Sequence, residues 1–366
     1  MLYYLKEWDE YFGPLRVFDS NTFRAIGAAV TAFLITLICG PSFIRALTRL
    51  KMGQPIRGHD EVHKLADLHG SKKGTPTMGG VMILFALMTS CLLWANPANS
   101  YLWLVMVPTM LFGALGFTDD YLKIKRKKSE GLTSKQKLLG QIIISVAVSV
   151  FLINYPETAE ASRSLQLPFI KQTVVDDLGW MAVIFFCFVI VGCSNAVNLT
   201  DGLDGLAIGC SLPVAAVFGI FAYASGHAVA AEYLLLDFMP GVGELSIVCA
   251  ALAGAGAGFL WFNCHPARVF MGDTGSLALG GAFAMLSICL NQELLLIILG
   301  GVFVMEAASV ILQVFFFKTT GRRIFAMSPI HHHFELKGWN ETTVVVRFWI
   351  LAVICALIAL TTLKLR

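Results

Sequence analysis

Two carboxylates and two amides sit in Asn195-Ala-Val-Asn198-Leu-Thr-Asp201-Gly-Leu-Asp204-Gly205, between two long apolar runs. A charge at bilayer depth costs about 2.5 to 3.5 kcal/mol on insertion scales, so acids placed there are functional-site candidates by default. Asp201 and Asp204 are three residues apart and would share a face on a helical turn. Gly202 and Gly205 permit a close backbone approach to a ligand.

Three other stretches offer chemistry. Asp119-Asp120 ends an apolar run; adjacent carboxylates repel and gain little from a helix C-terminus, so a cation is expected nearby. Magnesium held by carboxylates and the oxygens of a substrate phosphate is one solution, and neutralisation by the basic run Lys123 to Lys128 is the plainer one. Asn263 to Asp273 is a short connection carrying an amide, the aromatic Phe270 and an acid. His331-His332-His333 suggests metal at first sight, but adjacent side chains diverge and no acid or cysteine accompanies them at ligand spacing; hydrogen bonding or charge stabilisation fits better. Ahead of these, Lys72 and Lys73 precede Thr75-Pro76, which reads as a helix N-cap with proline at the first helical position. Anion binding at that N-terminus and a headgroup-facing basic loop are equally supported by this segment alone.

The elements that must position these groups are membrane helices. Of 366 residues 57% are hydrophobic and 14% charged, which excludes an ordinary soluble domain. Apolar runs long enough to span lie near 21–44, 76–94, 101–118, 138–155, 179–197, 205–225, 245–262, 274–291, 294–317 and 344–363. The expected fold is an all-α polytopic membrane protein, one integral-membrane domain over 1–366 with about ten transmembrane helices. Lys and Arg crowd the connections after the first, third and ninth runs, so the odd-numbered connections are expected in the cytoplasm and both termini outside. The first run lacks a basic leader and reads as a retained helix. The nine cysteines lie singly, without C-x-x-C spacing, and read as core residues. Gly254-Ala-Gly256-Ala-Gly258 lacks the strand context of a nucleotide fingerprint and reads as close helix packing.

Every acid-rich or His-rich motif falls on one side, at the cytoplasmic edge. Carboxylates for a metal and lysines for phosphates suit the joining of a water-soluble phosphorylated donor to a lipid phosphate. No G-x-x-x-x-G-K-[ST] is present to support ATP-driven chemistry. A transporter is the rival from another class, weakened because only Glu306 lies near the middle of a helix and no inverted repeat of the motifs is visible. A non-catalytic scaffold would not segregate its acids in this way.

Gly74-Thr-Pro-Thr-Met-Gly-Gly80, Asp119-Asp120-Tyr-Leu-Lys123, Asn198 to Gly205, Phe270-Met-Gly-Asp273-Thr-Gly-Ser276 and Ser328 to Glu335 together resemble the phospho-N-acetylmuramoyl-pentapeptide-transferase (translocase I) family. The aspartate motifs are shared with the wider polyprenyl-phosphate sugar-1-phosphate transferases, whose sister members use UDP-N-acetylglucosamine; the three histidines point to the muramoyl-pentapeptide branch. The resemblance implies a bacterial inner-membrane enzyme with its site facing the cytoplasm. It would move phospho-N-acetylmuramoyl-pentapeptide from its UDP donor to undecaprenyl phosphate, giving lipid I and UMP, with Mg2+ as cofactor. It also implies a homodimer in the lipid bilayer and no nucleic-acid partner. By the same resemblance Asp273 would be the principal metal ligand with Asp201 beside it. Asp119 would deprotonate or orient the lipid phosphate, with Asp120 in support. Asn198, Asp204, Asn263, Phe270 and Gln313 would hold the uridine or its neighbours. Lys72, Thr77, Lys123, Lys135, His331, His332 and His333 would contact phosphates or the sugar, His332 foremost.

Overall fold

The computed structural model describes residues 1–50, 74–126, 131–155, 164–170 and 173–364; Lys72 and Lys73 lie outside them. The described residues fold into helices: α1 (Asn21–Arg49), α2 (Gly80–Trp94), α3 (Ser100–Arg126), α4 (Ser134–Asn154), α5 (Met181–Thr200), α6 (Leu206–Ser225), α7 (Ala228–Leu234), α8 (Leu245–Asn263), α9 (Gly272–Cys289), α10 (Leu295–Leu299), α11 (Gly301–Thr320), α12 (Ile330–Leu336) and α13 (Glu341–Thr361).

Among the described residues eight helices are long and apolar enough to cross a membrane, so the protein is helical and multi-spanning. Two of the expected runs give shorter or more polar elements. Helix α2 has 15 residues, and α9 opens on the polar Gly272-Asp-Thr-Gly-Ser276. The run 294–317 is interrupted, because α10 stops at Leu299 and Gly300 separates it from α11. Thr75-Pro76 does not begin a helix as the sequence suggested. The chain there pairs with 270–271 instead, Phe270 N–H donating to Pro76 O (2.8 Å) and Gly79 N–H to Phe270 O (2.8 Å), and α2 starts only at Gly80.

Helix α9 is the axis of the fold. From Thr274 to Cys289 every residue is buried, the pattern of a helix enclosed by protein rather than lipid. It packs on α2, α3 and α5. Small residues let backbones touch: a Cβ at Gly280 would lie 2.5 Å from Ser194 Cα in α5. Helices α1 and α8 pack in the same way, since a Cβ at Gly254 would lie 2.1 Å from the Ala29 carbonyl oxygen. The glycine stripe of α8 is thus a packing surface. At one end of the bundle the buried pair Arg24–Glu244 (Nη2–Oε2 3.1 Å) joins α1 to the start of α8, and Glu244 also accepts the Asn96 N–H. The site is at the other end, where α9 begins and α3, α5 and α8 finish.

Candidate active site

Asp119 and Asp120 sit on the last turns of α3, and the first turn of α9 brings Asp273 against them. Oxygens of all three lie within 4.8 Å of one another. Asp120 is committed to holding the two helices together: its Oδ2 accepts both the backbone N–H (3.0 Å) and the hydroxyl (2.9 Å) of Thr274, satisfying free donors at the α9 N-terminus. Asp119 Oδ1 accepts the Leu132 N–H at 2.6 Å, which draws in the segment leading to α4.

The cation expected beside the Asp119-Asp120 pair is supplied by the chain. Lys123 Nζ is 2.7 Å from Asp273 Oδ2, 2.8 Å from Asp119 Oδ2 and 3.7 Å from Asp120 Oδ1. Lys137 Nζ lies 3.0 Å from Asp273 Oδ2. Lys135, singled out from the sequence together with Lys72 and Lys123, is exposed and points elsewhere. Its register is fixed by a capping box in which Thr133 and Gln136 bond reciprocally, starting α4 at Ser134. Residues two apart on a helix differ by about 200°, so Lys135 and Lys137 cannot both face the acids.

Asn198 completes this end, its Nδ2 donating to Asp273 Oδ1 (2.7 Å) and to Ser276 Oγ (2.8 Å). Thr77 is buried with a hydroxyl that has no partner among the described residues, and it flanks Gly272, where a Cβ would lie 2.8 Å from Thr77 Oγ1 and 2.7 Å from Asp120 Oδ2. Gly272 also has φ +71, a conformation that disfavours any side chain. A set of hard carboxylate oxygens with an orphaned buried hydroxyl beside them fits an ion such as magnesium and the phosphates that accompany it.

Asp201 and Asp204 part company. Helix α5 ends at Thr200 and Gly205 adopts φ +77, so the two acids do not ride on one helical face. Asp201 lies by the Gly272 N–H, outside the three acids whose oxygens converge; desolvation and the charges of Asp273 and Asp120 push its carboxyl up to about 8. Asp204 faces the other way. Its Oδ2 accepts the Ala267 N–H (3.1 Å) and lies 3.2 Å from His265 Nδ1, while its N–H donates to Glu341 Oε1 (2.9 Å) at the start of α13.

Several expected ligand contacts serve the protein instead. Asn263 accepts the Gly205 N–H (3.1 Å) and donates to Val269 O (2.8 Å), so both ends of its amide shape the turn. Gln313 accepts the Ile324 and Phe325 N–H groups and donates to Phe325 O, fastening the segment after α11. His331 is 1% exposed, with Nδ1 3.1 Å from Glu306 Oε2 in α11 and Nε2 against Gly202. His332 Nδ1 pairs with Glu335 (2.7 Å), and His333 Nδ1 accepts the Ala326 N–H. Phe270 stays half-buried and stacks on no other ring among the described residues. Lys137, Glu341 and Thr274 are the contributors that motif reading passed over.

Comparison with known proteins settles the family. Residues 102–291 match the family model described as Glycosyl transferase family 4, and residues 72–84 match Phospho-N-acetylmuramoyl-pentapeptide-transferase signature 1. The chain is 54% identical over 366 residues to the phospho-N-acetylmuramoyl-pentapeptide-transferase of Methylacidiphilum infernorum, covering the whole of both chains. It belongs to that family. A second phospho-N-acetylmuramoyl-pentapeptide-transferase, from Solidesulfovibrio magneticus, is 51% identical over 368 residues, again across the full length of both. Signature 1 of this transferase family covers Thr77 and the start of α2, the stretch that closes on Phe270 and Met271 beside the acids.

Proposed function

We propose that the protein transfers phospho-N-acetylmuramoyl-pentapeptide from UDP-N-acetylmuramoyl-pentapeptide to undecaprenyl phosphate, giving lipid I and UMP. What carries the reading beyond its relatives' names is one arrangement: three carboxylates from two helices converging on two lysines at one end of the bundle. A lipid phosphate oxygen forms a bond to the sugar-linked phosphorus, and the bond from that phosphorus to UMP breaks. One phosphoanhydride replaces another, so no further energy source is needed. The full-length identity to two muramoyl-pentapeptide enzymes favours this donor over UDP-N-acetylglucosamine. Offering both donors to the purified protein is the direct test, and release of UMP from the N-acetylglucosamine donor alone would reverse the assignment.

In this reading Asp273 would hold Mg2+, with Asp119, Asp120 and Asp201 as the neighbouring acids. The ion, when bound, neutralises charge growing on the leaving UMP. Lys123 and Lys137 keep two anionic substrates from repelling one another. Asp119 orients or deprotonates the lipid phosphate, and the half-buried Phe270 offers a face to uracil. Chelation with EDTA is expected to stop UMP release and added Mg2+ to restore it; turnover that survives chelation counts against a metal here. We further read ten spans, with α2 and α9 as the two beyond the eight long ones, both termini outside and the site facing the cytoplasm of a bacterial inner membrane, as a homodimer. The basic connections after the first, third and ninth runs support that orientation.

The donor's nucleoside end is assigned to the Asp204 turn, and Glu341 positions it. Glu341→Ala is expected to weaken UMP binding about tenfold, the loss of a charge-assisted hydrogen bond to the Asp204 N–H. Glu341→Gln keeps an acceptor oxygen and should retain most of the affinity, with the magnesium requirement unchanged in both. Equal losses in the two variants by calorimetry would show that the carboxylate charge of Glu341, 3.5 Å from His265 Nδ1, and not its hydrogen bond to Asp204 is what matters.

A further inference from the structure

In lipid the hydrophobic effect does not draw helices together, so close packing and polar side chains between them decide how each is held. Helix α4 turns its large apolar residues outward: Leu138, Leu139, Ile142, Ile143 and Val146 are exposed. Its buried face carries Gln141, Ser145 and Ser149, one helical turn apart and in line with Lys137, whose Nζ lies 3.0 Å from Asp273 Oδ2.

The two serine hydroxyls bond back to their own helix, Ser145 to Gln141 O and Ser149 to Ser145 O, each at 2.7 Å. Gln141 reaches across instead. Its Oε1 accepts Asn195 Nδ2 of α5 at 2.8 Å, and its Nε2 donates to Ser194 Oγ at 3.5 Å. Ser194 in turn donates to Leu277 O of α9 (3.2 Å), and Asn195 Nδ2 also donates to Val191 O (2.8 Å). Among the described residues no other α4 side chain beyond Lys137 hydrogen-bonds to another helix.

The direction of this chain asks for an amide at 141. Ser194 Oγ gives its hydrogen to Leu277 O and can only accept from Gln141, whereas Asn195 Nδ2 can only donate to it. One side chain must therefore present an N–H and a carbonyl oxygen to two successive residues of α5, which fixes how α4 is rotated. Gln141 stands about 6 Å along the axis from Lys137. A rotation of α4 moves both.

We infer that Gln141 is a positioning residue for the transfer: through Asn195 and Ser194 it sets the rotation of α4 that aims Lys137 at Asp273. The inference rests on the proposed function. It also gives Asn195 a task that needs no ligand, because its amide holds the helices while Asn198, nearly one turn on, meets the acid.

The test follows UMP release by purified full-length protein in neutral detergent, at saturating donor and lipid phosphate, for Gln141→Met, Lys137→Met and the double variant. Methionine is similarly long and unbranched but forms neither hydrogen bond. Gln141→Met is expected to lower kcat about tenfold and Lys137→Met at least about a hundredfold. In the double variant the losses should not multiply: with the lysine gone, misaiming it costs nothing, and kcat should match that of Lys137→Met within about twofold. Ser145→Ala, which loses a hydroxyl that turns back to Gln141 O, should stay within about twofold of wild type. Full activity in Gln141→Met, an equal loss in Ser145→Ala, or a double variant about tenfold below Lys137→Met would each overturn the inference, the last by showing that Gln141 supports the bundle and not the lysine. Should Gln141→Met fail to fold, Asn195→Ala removes the same bond from the other side and enters the same cycle with Lys137→Met. A wild type that releases no UMP would remove the functional reading and this one with it, whereas an active wild type with multiplying losses removes this one alone.

Discussion

Asp273→Asn is expected to lower turnover at least about a thousandfold while leaving a protein that folds and elutes like wild type. The carboxylate uses both oxygens: Oδ2 receives Lys123 at 2.7 Å and Lys137 at 3.0 Å, and Oδ1 receives Asn198 at 2.7 Å. An amide offers one acceptor oxygen, so either the lysines or Asn198 would meet an NH2 donor. The charge that would hold a divalent cation against the donor phosphates is lost too, and charge stabilisation of that kind is worth several kcal/mol, each ~1.4 kcal/mol a factor of ten. The fold should survive because Lys123 keeps Asp119 at 2.8 Å and Asp120 keeps the Thr274 N–H at 3.0 Å. UMP release by the purified variant, with circular dichroism as the folding control, decides it. Turnover within tenfold of wild type would remove Asp273 from the reaction.

Gly116→Ala should be nearly as damaging, without touching a charged group. A Cβ there would lie 2.1 Å from the Asp273 carbonyl oxygen and 2.7 Å from Thr274 N. Neither atom can yield alone, since Thr274 N–H is bonded to Asp120. Overpacking of a core costs about 1 to 3 kcal/mol, and here the strain falls on the joint between two acid-bearing helices. The expected result is at least a hundredfold loss of turnover together with a lower Tm. Gly113→Ala is the control, because its nearest neighbour is the tip of the Leu84 side chain, Cδ1 at 2.5 Å, which can rotate away. If Gly113→Ala is as inactive as Gly116→Ala, general crowding of α3 explains both.

Much of this was legible in the sequence. Adjacent carboxylates at a helix end demanded a cation, and Lys123 meets the demand one turn on. The glycines of α8 read as packing and they pack. Other features depend on where a helix stops. Asp201 and Asp204 were expected on one face, but α5 ends at Thr200 and the turn sends them to different neighbours. Lys135 and Lys137 differ only in register, which the Thr133–Gln136 capping box sets and a count of basic residues does not. Asn263 and Gln313 have side chains suited to ligands, yet backbone groups have claimed them, and His331 is buried beside Glu306. No spacing rule reveals a partner that lies far along the chain, as Glu341 does from Asp204.

The enclosure of α9 by other helices has a mechanical consequence. A helix with no solvated face and backbone contacts on several sides opens only when the whole domain opens. Asp273, on its first turn, is therefore mounted on an element held on several sides, which suits a group that must keep its geometry to within a fraction of an ångström.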